Sequence, residues 1–173
     1  GYADGHIIVY SDFENFKYFN EKYGYAVGDQ VLKEFSNYLV AGVRAVGDVY
    51  MTRVAGDQFA VYLPYRKPED STVFVERMNR VFERQQAEKY PEASLRLHSG
   101  IYEIEPDCLS ASAAIDKANF ARKQLRPDSR VSVLRYDRQM GERQTLANEL
   151  TNGLNRAMER GEFKLYLQPK FSL

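Results

Sequence analysis

Asp48-Val-Tyr-Met-Thr-Arg-Val-Ala-Gly-Asp-Gln-Phe-Ala-Val-Tyr-Leu63 reads as two strands joined by a tight turn. Tyr50, Thr52 and Val54 alternate with Met51 and Arg53 on the way in. Phe59, Val61 and Leu63 alternate with Ala60 and Tyr62 on the way out, and Ala55-Gly56-Asp57-Gln58 makes the turn. Before the hairpin, His6 to Ser11 is a short apolar run with β-branched residues, a buried strand. A short helical piece follows, with Phe13, Phe16 and Phe19 about one turn apart. Gly24 and Gly28 bracket a loop, and Asp29 opens a helix with Val31, Leu32, Phe35 and Leu39 inward. After the hairpin, Pro68, Asp70 and Ser71 introduce a helix with Phe74, Met78, Val81, Phe82 and Gln85 on one face. Ser94 to Glu103 is a strand. Ser110 or Ser112 caps a helix to about Leu125, which Pro127 and Asp128 stop, and Arg130 to Arg135 is the last strand. The order β-α-α-β-β-α-β-α-β with a central hairpin predicts an α/β fold of the α+β kind. Helices flank a mostly antiparallel sheet, which excludes a doubly wound parallel one.

The 173 residues suggest one domain with some chain to spare, large enough to bury its own core without a staple. Lys plus Arg number 24 and so do Asp plus Glu, so no basic excess marks a nucleic-acid-coating surface. Cys108 stands alone, which excludes an intramolecular disulfide and fits a reducing compartment, so a cytoplasmic location is expected. No apolar run approaches the roughly 18 residues that span a bilayer, so no membrane partner is expected in this segment.

From Asp137 to Gly161 the pattern becomes one long amphipathic helix, with Met140, Ala147, Leu150, Leu154 and Met158 in a narrow stripe and Gly161 as its C-cap. It reads as a connector that transmits motion or dimerises, or else as a helix packed on its own domain. Phe163-Lys-Leu-Tyr-Leu-Gln-Pro-Lys-Phe-Ser-Leu173 then opens like a strand with no partner after it, and Gly1 to Gly5 lack an initiator Met. A longer parent protein is expected. The organisation expected is a domain over 1–136, a linker helix over 137–161 and the start of a second domain over 162–173.

Asp12 ends the first strand and Asp57 sits in the hairpin tip. If these strands are neighbours, two carboxylates converge at one sheet edge, an arrangement suited to Mg²⁺ shared with substrate phosphates. The small residues of Ala55-Gly56-Asp57 would let backbone N–H groups approach a phosphate. Taken alone, a Gly-Asp pair is a turn signal first.

The surroundings change that balance. The run from Asp12 to Leu32 stands as DFENFKYFNEKYGYAVGDQVL and resembles the D-x-D-x-F-K-x-x-N-D-x-x-G-x-x-x-G-D-x-x-L opening of the GGDEF, or diguanylate cyclase, family. The hairpin RVAGDQF is similar to that family's R-x-G-G-D-E-F. Ser99-Gly100-Ile101 resembles its S-x-G-I strand, and Asp116-Lys-Ala-Asn-Phe-Ala-Arg-Lys123 its A-D-x-A-L-Y-x-A-K helix. These matches are collinear over roughly residues 6–136. The final FKLYLQPKFSL resembles the opening of an EAL domain, the cyclic-di-GMP phosphodiesterase family.

The resemblance implies a nucleotide-cyclase, palm-like sheet. It implies a reaction in which two protomers each hold one GTP, and each 3′-hydroxyl attacks the other's α-phosphate to give cyclic di-GMP. By position, Asp12, the backbone carbonyl of Phe13 and Asp57 would hold Mg²⁺. Asn20 and Asp29 would bond guanine, Ala55 and Gly56 would line the phosphate turn, and Lys123 would reach the terminal phosphates. Asp57 and Gln58 fall at the catalytic signature. Otherwise Asn20 is a helix-end polar residue, Asp29 a helix N-terminal acid and Lys123 a solvated lysine.

Three departures matter. Gln58 replaces an acid, and its amide carries no charge and cannot act as a base. The family's inhibitory R-x-x-D falls on Val46 and Val49, with Arg44 and Asp48 near but out of register. The phosphate-binding arginine expected four residues after Lys123 falls on Pro127, with Arg126 and Arg130 nearby. The chain therefore reads as a degenerate GGDEF domain that binds GTP, makes little or no cyclic di-GMP and regulates an EAL domain in cis. The rival readings are a working cyclase that tolerates Gln58, and a homodimerising module that binds no nucleotide.

Overall fold

The computed structural model describes residues 5–44, 48–65, 68–127 and 130–162. The expected EAL-like segment from Phe163 and the position Val46 lie outside the described residues. The chain divides into two units, Gly1–Tyr136 and Asp137–Leu173.

In the first unit, β1 (Gly5–Glu14) is the central strand. Around it lie β2 (Tyr50–Ala55), β3 (Gln58–Tyr65), β4 (Arg96–Glu103) and β5 (Val133–Arg135), in the order β2-β3-β1-β4-β5. β1 pairs antiparallel with β3 and β4, β2 antiparallel with β3, and β4 parallel with β5. The mostly antiparallel sheet is therefore as expected.

Side chains alternate faces along a strand. On one face Phe13 of β1 packs with Phe35, Phe59, Phe82 and Leu97, and Ile7 and Val9 pack with Val61, Leu63, Val75 and Ile101; on the other, Ile8 and Tyr10 pack with Ala60, Tyr102, Ala114 and Ala118. The first face carries α1 (Phe16–Tyr23), α2 (Tyr25–Val43) and α3 (Pro68–Lys89). The second carries α4 (Ala111–Lys123), whose Ser110 cap accepts the Ala113 N–H at 3.1 Å. Ala114, Ala118 and Ala121 give α4 a shallow buried face, and Gly100 of β4 lies beneath it. A Cβ on Gly100 would stand 1.9 Å from the Ala118 carbonyl oxygen and 2.5 Å from the Arg122 nitrogen.

Three local expectations are corrected. β1 continues past Ser11 to Glu14, because Asp12, Phe13 and Glu14 pair with His98, Leu97 and Arg96. α2 starts at Tyr25, so Gly28 is a buried helical residue and Asp29 lies beyond the first turn. α3 is turned by one residue: Ser71, Val75, Asn79, Phe82 and Gln86 are buried, while Val81 is 40% exposed. The turned face is polar, but two of its groups find partners. Asn79 donates to Ser99 Oγ at 2.9 Å, which shares a 2.7 Å hydrogen bond with Ser11 Oγ, and Gln86 donates to Glu34 at 3.2 Å.

Glu83 of α3 accepts the Leu97 N–H at 2.7 Å. Burial pushes its carboxyl above the usual range, against that hydrogen bond and the charges of Arg96 and Arg80. A raised folded-state pKa means that stability is lost as pH rises from about 4.5, the unfolded value, through the folded one. Glu83→Gln keeps an acceptor and removes the charge. Its Tm should exceed wild type at pH 7, and the gap should close below pH 4.5; equal Tm values at pH 7 would contradict this.

The second unit contains α5 (Arg138–Glu159). Asp137 caps it by accepting the Gln139 N–H at 3.1 Å. At the other end Gly161, at φ 68°, lets its own N–H reach Met158 O and that of Glu162 reach Ala157 O, both at 3.0 Å. This paired closure is why a glycine follows the helix. Along its length Leu150, Leu154 and Met158 are exposed. Among the described residues no helix is long and apolar enough to cross a membrane.

Candidate functional site

The tip of the β2–β3 hairpin is a two-residue turn closed by the Ala55–Gln58 pair. Gly56 takes φ 51°, which costs glycine little, and its carbonyl accepts from Arg53 Nε at 2.6 Å. The tip presents Asp57 beside the end of β1. A cavity of about 400 Å³ opens there, lined by Phe13, Asn15 and Phe16, by Lys17, Asn20 and Tyr25, and by Asp57. Such a volume suits a small organic ligand.

Phe13, Asn20 and Asp57 thus meet at one cavity although 44 residues separate Phe13 from Asp57 in the chain. Asn20 Oδ1 is buried without a hydrogen-bond partner. It lies where a Cβ on Gly28 would be 1.8 Å away, so glycine at 28 makes room for it. Asn20 thus lines the cavity as a residue, while its Oδ1 is packed against Gly28. Asn15, at the entrance to α1, holds φ 61°, a left-handed conformation to which asparagine is among the better suited residues. Among the other residues expected at the site, Asp29, Ala55, Gly56 and Lys123 are exposed and do not line this cavity. Lys123 is the last residue of α4. Of the expected feedback positions, Val49 packs on the apolar core and Arg44 and Asp48 are exposed.

Asp12 follows Ile8 and Tyr10 onto the α4 face. There its carboxylate is bonded by the guanidinium of Arg122. Arg122 also donates from Nε to Asn119 Oδ1 at 2.9 Å and lies over the Tyr10 ring at 5.7 Å from its centroid. The Tyr10 hydroxyl in turn donates to Gln58 Oε1 at 2.8 Å. Burial raises the Asp57 carboxyl above its usual range, and the nearby charge of Asp12 adds to this. The Asp57 and Phe13 N–H groups and Arg122 pull the other way. Burial likewise raises the Tyr10 phenol.

Arg122 and Tyr10 are the site residues that sequence reasoning missed. One signal was available, because the helix pattern that 116–123 resembles has alanine at the place of Arg122. Mg²⁺ needs hard, charged oxygen ligands with free lone pairs. Here the Asp12 carboxylate is already engaged by the guanidinium of Arg122. Among the described residues no three His, Cys, Asp or Glu side chains gather into a metal-binding group. As the side chains stand, the donor set does not fit a divalent cation.

The fold and sequence have counterparts among known proteins. The GGDEF domain of DgcB from Caulobacter crescentus, solved in complex with c-di-GMP, superposes with a TM-score of 0.64 at 20% identity, over 76% of this chain and 77% of that one. The active GGEEF domain of a diguanylate cyclase from Vibrio cholerae gives 0.65 at 18%, over 77% and 83%. In sequence, the chain is 26% identical over 179 residues to the biofilm architecture maintenance protein MbaA of Vibrio cholerae, covering 99% of this chain and 23% of that protein. It is 25% identical over 164 residues to the bifunctional diguanylate cyclase/cyclic di-GMP phosphodiesterase MucR of Pseudomonas aeruginosa, covering 94% and 24%. The chain thus spans about a quarter of the length of these relatives. The family described as diguanylate cyclase, GGDEF domain matches residues 3–131, nearly all of the sheet and its flanking helices, and the chain belongs to that family.

Proposed function

We propose that this domain binds GTP and acts in cyclic-di-GMP signalling as a regulatory domain with little cyclase activity of its own. The observation that supports the reading is the cavity in which Asn20, an expected guanine contact, meets Phe13 and Asp57 of the expected metal site. Guanine presents two adjacent donors, N1–H and N2–H₂, for Asn20 and Asp29 to accept together, whereas adenine sets one amino group beside the N1 acceptor. Asp29, one turn beyond Gly24 in α2, would complete the guanine contact. Ala55 and Gly56 would face the phosphates, and Lys123 would meet the terminal ones. Asp57 and Gln58 occupy the signature turn, where Gln58 can accept a hydrogen bond but cannot take a proton.

The regulated partner is an EAL phosphodiesterase domain in cis, joined through α5. MucR supports this, since it matches 94% of the chain and its name joins both activities. The same relative also supports the second reading, a working cyclase that condenses two GTP.

Calorimetry of the full chain with GTP and with ATP, alongside a product assay, tests the proposal. GTP should bind roughly tenfold or more tighter than ATP. Cyclic-di-GMP synthesis should be hard to detect, and Gln58→Glu should raise any residual rate, since loss of one transition-state group commonly costs about 10²–10³. Equal affinity for both nucleotides would overturn the binding reading, and robust synthesis by the unaltered chain would promote the cyclase.

A further inference from the structure

Asp12 and Asp57 are the two acids expected to gather a divalent cation, yet Asp12 already has a cation in contact. That cation comes from the protein itself. Arg122 reaches Asp12 from α4, and its side chain is only 13% exposed. Three contacts fix the guanidinium: the Asp12 carboxylate, Asn119 Oδ1 and the Tyr10 ring. The backbone that carries it cannot drift, since Gly100 seats the helix directly on β4. The Tyr10 ring is itself held by Gln58. Thus Gln58, Tyr10, Arg122 and Asp12 form one connected chain of contacts.

We infer that Arg122 is a built-in counter-ion that holds the place of a divalent metal at Asp12 and excludes metal from the Asp12–Asp57 pair. Charge makes the same point. The resembled pattern puts acids at 12, 57 and 58 and a neutral residue at 122. This chain has acids at 12 and 57, an amide at 58 and a guanidinium at 122. The two exchanges shift the cluster by two charges toward positive, against any Mg²⁺. An arginine is suited to the part because it stays protonated at every physiological pH. The two departures act together: Gln58 removes an acid and anchors Tyr10, and Tyr10 packs under the guanidinium.

Metal binding alone tests this, with no nucleotide present, so failure of the guanine reading leaves the inference standing. The probe is Mn²⁺, followed by the electron paramagnetic resonance signal of the free ion. Wild type should take up no Mn²⁺ at submillimolar concentration. Arg122→Ala should gain one site at least roughly tenfold tighter than wild type, and adding Asp12→Asn should abolish it. Arg122→Gln, which keeps length and hydrogen bonding without the charge, repeats the test in case the alanine variant does not fold. A wild type that binds Mn²⁺ as tightly as these variants would overturn the inference. So would a folded, charge-free variant that gains no site.

Discussion

Replacing Gly100 with alanine is expected to lower Tm by roughly 10 °C and to loosen α4 from the sheet. The added Cβ would sit 1.9 Å from the Ala118 oxygen, 2.5 Å from the Arg122 nitrogen and 3.0 Å from the Ala118 carbonyl carbon. All three are backbone atoms, so no side chain can rotate away and the helix must retreat as a body. Retreat uncovers the face formed by Ala114, Ala118 and Ala121 against Ile8, Tyr10 and Tyr102. Overpacking of this kind costs about 1–3 kcal/mol and occasionally more. The upper end applies where the clash is with a whole helix, and the contact of Arg122 with Asp12 is lost with it. Gly153→Ala in α5 is the control, because a Cβ there meets nothing within 4 Å. It should leave the melt unchanged or slightly raised. Thermal melts that coincide for Gly100→Ala and wild type would show that α4 can move off β4 without cost.

The sheet was legible because its signals are local. The hairpin shows itself through alternation on both sides of Gly56-Asp57, and β1 through a dense β-branched run. The ends of elements were less legible, since partners far along the chain set them. β1 runs on to Glu14 only because β4 is there to pair with it. α2 starts at Tyr25 because the buried Gly28 packs against the Asn20 side chain instead of making a loop. The rotation of α3 was hidden for a similar reason: Asn79 and Gln86 look like surface residues until Ser99 and Glu34 supply their partners. At the site, the meeting of Phe13, Asn20 and Asp57 could be anticipated from a family pattern. The hold of Arg122 on Asp12, across 110 residues, could not. It follows from strand parity, which turns Asp12 toward α4, and from an arginine at a helix position whose bland reading is a solvated cation.

Gly28→Ala should abolish guanine recognition while leaving the fold intact or slightly more stable. The new Cβ would lie 1.8 Å from Asn20 Oδ1, 3.0 Å from its Cγ and 3.3 Å from Phe16 Cζ, so the Phe16 ring must also give by a few tenths of an ångström. Unlike the Gly100 clash, this one is with the end of a flexible side chain, which can swing to another rotamer at a cost of about 0.5–1.5 kcal/mol. Alanine in place of glycine within a helix returns about 1 kcal/mol. Moving Oδ1 also relieves a buried acceptor that has no partner in the free protein. Stability should therefore hold. Binding should not, because the Asn20 amide that lines the cavity is re-aimed and a guanine N–H loses its partner, a loss of about 1–3 kcal/mol or roughly tenfold to a hundredfold in Kd. Asn20→Ala should weaken GTP binding by the same factor. The double variant should be no weaker than either single, since both remove one interaction. Calorimetry with GTP on the three variants, each checked by its melt, decides this. Wild-type affinity in Gly28→Ala would mean that Asn20 does not read the base. Losses that multiply in the double variant would mean that Gly28 serves the ligand by some route other than the room it leaves for Asn20.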